Sequence, residues 1–106
     1  MKWYDVFAKL YDLSTERILD PIRKAAFDYL RAEGASVVID LCCGTGQSFP
    51  HLLDRFQGDN LKVIGLDYSA GMLEKARERI EKSSWDNVYL LETDATQVTA
   101  KDIWQI

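Results

Sequence analysis

The stretch Val37-Val38-Ile39-Asp40-Leu41-Cys42-Cys43-Gly44-Thr45-Gly46-Gln47-Ser48 runs apolar, meets a carboxylate, passes two glycines and then turns helical. A β-branched run of this kind is the pattern of a parallel strand covered on both faces. Glycine reaches positive φ and carries no Cβ, so two of them between a strand and a helix suggest a cradle in which another molecule lies against the backbone.

The rest of the chain repeats the unit. Residues 48–56 read as a helix with Leu52, Leu53 and Phe56 inward, and Pro50 is tolerable there only in the first turn. Residues 61–67 form a second strand that again ends in a carboxylate, Asp67. Ser69 can cap the next helix, whose inward stripe is Met72, Leu73, Ala76 and Ile80. Val88 to Glu92 read as a third strand leading into Thr93-Asp94-Ala95, with a further helical turn expected between Thr99 and Trp104. Strand, helix, strand, helix, strand at this spacing predicts an α/β, Rossmann-like three-layer fold whose parallel strands lie in the order 3-2-1. Asp40 to Gly46, Asp67 and Asp94 then share the carboxyl edge of adjacent strands, where open α/β sheets bind ligands.

Before this unit, residues 1–34 read as an N-terminal helical segment, and 35–106 as the ligand-binding unit. Trp3, Phe7, Leu10 and Tyr11 fall on one helical face. Ser14 is a plausible cap for a second helix, which Pro21 is expected to kink or restart near Asp20 and which ends at Gly34.

Composition excludes several classes. Thirteen basic against seventeen acidic residues leave a net charge of −4 without a basic stripe, which disfavours phosphate-driven nucleic-acid binding. No apolar run approaches the ~20 residues of a membrane span, and the N-terminus lacks the apolar core of a secretory signal, so cytoplasmic localisation is expected. The two adjacent cysteines and single histidine, His51, make neither a disulfide framework nor a metal site; Cys42 and Cys43 read as small residues lining the turn.

Asp67 follows Gly46 by 21 residues, close to the ~20 that separate a glycine turn from a ribose-binding acid. Its plainer alternative is a strand-end acid that caps the following helix. A dinucleotide site needs a third small residue where this chain has Phe49, and Asp40 beside the loop would repel pyrophosphate. The same acid suits a ligand carrying an amino group and a positive charge.

Asp40-Leu41-Cys42-Cys43-Gly44-Thr45-Gly46 resembles motif I of the class I S-adenosylmethionine-dependent methyltransferases, acid-x-Gly-x-Gly-x-Gly, with Cys42 in place of the first glycine. Leu66-Asp67-Tyr68-Ser69-Ala70-Gly71-Met72 resembles the family's second strand and helix, and Thr93-Asp94-Ala95 its adenine-binding motif. The leading Tyr4 to Asp12 segment is similar to that of the branch containing the ubiquinone and menaquinone methyltransferases. The resemblance implies S-adenosyl-L-methionine as cofactor. Cys42, Gly44 and Gly46 would line the methionine part, with Asp40 near its amino group. Asp67 would hold the ribose hydroxyls, Tyr68 or Met72 would cover the adenine, and Asp94 and the Ala95 N–H would bond its edge. Tyr11 would close over the cofactor carboxylate or serve as a core aromatic.

The family's sheet has seven strands, the fourth lying beside the first, and its acceptor residues come mostly from there onward. The expectation is therefore the cofactor half of a methyltransferase with an unidentified methyl acceptor. Its first strand would be an exposed apolar edge that invites pairing, either with the remainder of a longer protein or with a second copy. Three other readings stay open: a cofactor-binding module without catalysis, a nucleotide-binding oxidoreductase fragment, and an interaction domain whose glycines serve the turn alone.

Overall fold

The computed structural model describes residues 21, 22, 25, 36–56 and 60–106. Pro21, Ile22 and Ala25 are helical. The expected N-terminal helices otherwise, Tyr11 and the break at Asp20 lie outside the described residues.

Among the described residues from 36 onward, three strands, β1 (Val37–Leu41), β2 (Lys62–Asp67) and β3 (Val88–Glu92), alternate with three helices, α1 (Phe49–Arg55), α2 (Ala70–Ser83) and α3 (Ala100–Trp104). All pairing is parallel, in the order β1-β2-β3, with Val38 opposite Val63 and Val63 opposite Val88. The expected strand order is the one found. Pro50 stands in the first turn of α1, where its missing N–H costs nothing. The Ser69 hydroxyl accepts from the Met72 N–H at 3.3 Å, capping α2 as expected. α3 begins with a reciprocal capping box between Thr99 and Asp102.

Both long connections cross the same way, so α1 and α2 land on one face of the sheet. There Phe49 and Leu52 of α1, Leu73 and Ala76 of α2, and Val63 and Val88 of the strands form the buried core, with Val38 and Leu90 packed against it. Phe49 is fully buried and meets Trp85 edge to face, ring centroids 6.4 Å apart.

The other face is unevenly covered. Ile64 and Leu66 of the central strand are buried, and Lys62 on that face lies over the Tyr89 ring and donates to the Ile106 carbonyl just beyond α3 at 2.8 Å. On β1, however, Val37, Ile39 and Leu41 are 40%, 43% and 58% exposed. The sequence pattern of a strand covered on both faces is thus met on one face only. α3 follows β3 in the chain, and Ile106, two residues past its end, is bonded to Lys62 of the central strand.

Candidate functional site

Beyond Leu41 the backbone turns sharply. Cys42 has φ +55°, Gly44 +58° and Gly46 +83°. The left-handed region is unfavourable for a residue with a Cβ, so Cys42 is strained at the position where the resembled motif has glycine. Cys43 then extends the parallel pairing by one more bond, its N–H donating to the Leu66 carbonyl at 2.9 Å. The Gly46 N–H donates to Cys43 O and the Phe49 N–H to Gly46 O, both at 3.1 Å, and these two bonds lead into α1.

The two glycines differ in what surrounds them. A Cβ on Gly44 would meet nothing within 4 Å, whereas one on Gly46 would lie 2.6 Å from the Phe49 ring. A Cβ on Gly65 would also strike that ring, at 2.7 Å, and the Cys43 sulfur at 2.8 Å. Gly46 and Gly65 therefore make room for Phe49, which locks the end of the loop onto the middle of β2. Sequence reasoning saw Phe49 only as a missing glycine; its packing partner Gly65 drew no attention, because nothing local marks a glycine that faces a ring from another segment.

At the carboxyl ends of β1 and β2 an open pocket of about 410 Å³ is lined by Asp40, Cys42, Gly44, Asp67, Ser69 and Met72, together with Cys43, Thr45, Gln47 and Ser48. This lies within the size range of small-molecule sites. Five of the residues singled out from sequence, Asp40, Cys42, Gly44, Asp67 and Met72, are brought together there. Gly46 is buried beneath them against Phe49. Tyr68 is 78% exposed and not part of the lining. Asp94 and Ala95 lie past the end of β3, outside the lining. His51 sits within α1, also outside it.

The charge in the pocket is negative. The Oδ2 atom of Asp40 is shielded from solvent, and the Asp67 carboxylate accepts from the Gly44 N–H at 2.8 Å and the Ser69 N–H at 2.9 Å. Burial pushes the Cys43 thiol well above the ordinary thiol range, and the Asp40 and Asp67 carboxylates push it further. It stays protonated and is no nucleophile. Asp94 is held below its usual range by hydrogen bonds from the Thr96 hydroxyl, at 2.6 Å, and the Thr96 N–H, at 2.9 Å. Among the described residues no group of His, Cys, Asp and Glu side chains is placed to hold a metal ion, and no helix is long and apolar enough to cross a membrane.

The chain resembles several characterised proteins along most of its length. It is 31% identical over 99 residues to 2-phytyl-1,4-naphtoquinone methyltransferase of Thermosynechococcus vestitus, covering 90% of this chain and 43% of that protein. It is 33% identical over 100 residues to demethylmenaquinone methyltransferase of Lactiplantibacillus plantarum, covering 93% of this chain and 40% of that one. The chain thus spans less than half the length of these relatives. Its fold matches a crystal structure of an S-adenosylmethionine-dependent methyltransferase from Aquifex aeolicus with a TM-score of 0.72 at 21% identity, over 92% of this chain and 50% of that one. A family profile described as a methyltransferase domain matches residues 38–103, from the middle of β1 into α3. On that match the chain belongs to the methyltransferase domain family.

Proposed function

We propose that this chain holds S-adenosylmethionine in the pocket at the ends of β1 and β2, as the cofactor-binding half of an enzyme that methylates a separate acceptor. The observation that carries the reading is the convergence of Asp40, Gly44, Asp67 and Met72 on one open pocket. The residues fit the ligand. The space beside Gly44 is open, so backbone and ligand can approach closely, and two carboxylates favour a ligand with a cationic amino group and sulfonium.

In this reading Cys42 and Gly44 face the methionine portion, and Gly46 shapes the loop from beneath. Asp40 attracts the amino group and Asp67 accepts from the ribose hydroxyls. Met72 supplies apolar surface for the adenine, with Tyr68 as a second candidate cover, while Asp94 and the Ala95 N–H bond its edge. When bound, the cofactor supplies an electrophilic methyl on sulfur. The contribution of this chain is to fix its position, and holding reactants in line supplies much of the acceleration in such a displacement. The acceptor class to test first is the quinone ring named for the relatives. Fold alone does not choose among acceptors.

The free thiols of Cys42 and Cys43 suit a reducing, cytoplasmic setting, and the net charge of −4 supports an acceptor other than nucleic acid. Where β1 is the sheet edge, its exposed apolar residues support self-association through that strand; sedimentation showing a dilute, stable monomer would sink this part.

Calorimetric titration with S-adenosylmethionine, its demethylated product and NAD tests the main reading. Binding of the first two, abolished in Asp67→Ala, is the expected outcome. Tight NAD binding, or no binding of any of the three by a folded sample, would overturn it.

A further inference from the structure

Asp67 stands where three segments meet. Its Oδ2 accepts from Gly44 N–H in the loop and its Oδ1 from Ser69 N–H at the start of α2. Its backbone carbonyl accepts from Thr93 N–H, at 3.0 Å, on the segment that carries Asp94. One residue earlier, Leu66 O takes the Cys43 N–H. Successive loop amides thus bond to successive residues of β2. The first meets a strand carbonyl in the ordinary parallel manner. By the second, the turn at Cys42 and Gly44 has carried the loop away from the strand direction, and a side-chain oxygen supplies the acceptor instead.

We propose that Asp67 is a positioning residue: its carboxylate ties the glycine loop to the start of α2 and sets the shape of the pocket before any ligand arrives. The tie rests on hydrogen bonds to a charged acceptor, which are stronger than those between neutral groups. A carboxylate offers about four lone-pair positions, so two amides leave others for the hydroxyls of a ligand. Bracing and binding then belong to the same group, and a loop already held needs no ordering on association. What the braced loop receives rests on the cofactor reading above; the brace itself does not.

The test is amide hydrogen exchange, resolved by residue, on the full chain without ligand. In the parent protein Gly44 and Ser69 amides are expected to be protected. In Asp67→Ala both should exchange roughly tenfold faster or more, while Cys43, bonded to Leu66 O, and Val63, bonded to Asn87 O, stay protected. Asp67→Asn has one carbonyl oxygen and should keep protection at one of the two amides but not both. Gly44 exchanging freely in the parent, or equally protected in parent and Asp67→Ala, would overturn the proposal. So would full protection of both amides in Asp67→Asn, which also decides the matter if the alanine variant fails to fold. A parent that binds no S-adenosylmethionine yet shows these exchange changes would discard the cofactor reading and leave the brace standing.

Discussion

Gly44 and Gly46 lie two residues apart in one turn and both take positive φ, yet the two halves of the loop serve different masters. The half around Cys42 and Gly44 faces the pocket, has open space beside it and is held by the Asp67 carboxylate. The half around Gly46 faces inward and is shaped to the Phe49 ring. A glycine motif read from sequence therefore merges two requirements. One concerns what can approach from outside; the other concerns what is already packed beneath.

Breaking the inner half should have the largest effect. In Gly46→Val the side chain meets Phe49 at a distance real Cβ atoms do not reach, and the backbone stays left-handed. Overpacking costs about 1–3 kcal/mol and the left-handed conformation about 1–2, so a loss of stability of about 3 kcal/mol or more is expected by urea unfolding. A variant as stable as the parent would show that Gly46 does not serve Phe49.

The outer half should respond differently. Gly44→Ala puts a methyl into open space, so only the backbone penalty of about 1 kcal/mol applies to stability. Its effect on S-adenosylmethionine affinity should exceed that modest loss in proportion, because the methyl projects where the ligand is proposed to lie. Stability lowered with affinity unchanged would erase the distinction between the halves.

Cys42→Gly is the mildest change and has the opposite sign. It relieves about 1–2 kcal/mol of left-handed strain and restores about 0.4–1 kcal/mol of unfolded-state freedom, for a net gain of about 0.5 kcal/mol. A decrease in stability would mean that the Cys42 side chain contributes packing the backbone angle does not reveal.

The elements themselves were readable before the structure because each carries a local signal: the β-branched run of β1, the serine cap and amphipathic stripe of α2, and Pro50 confined to the first turn of α1. The convergence of Asp40, Gly44 and Asp67 was also readable, since parallel strands put their carboxyl ends on one edge. Two features were hidden. The bond from Gly44 to Asp67 spans 23 residues and depends on the register of β1 against β2, which no local pattern fixes. The fit of Phe49 against Gly65 depends on where α1 lands on the sheet. The exposed apolar residues of β1 follow the expectation of an uncovered first strand, while the two-faced cover its composition suggests is met on one face only, because composition reports that a run is apolar but not which neighbours reach it.

The edge-to-face contact between Phe49 and Trp85 gives the molecule an optical reporter of its own. Trp85 touches the ring that holds the loop to the sheet, whereas Trp104 is 80% exposed. With Trp3 and Trp104 replaced by phenylalanine, the emission of the remaining indole would follow the seating of Phe49 directly. Loosening of the loop's inner half would then be visible as a spectral shift toward longer wavelength while the strands were still intact.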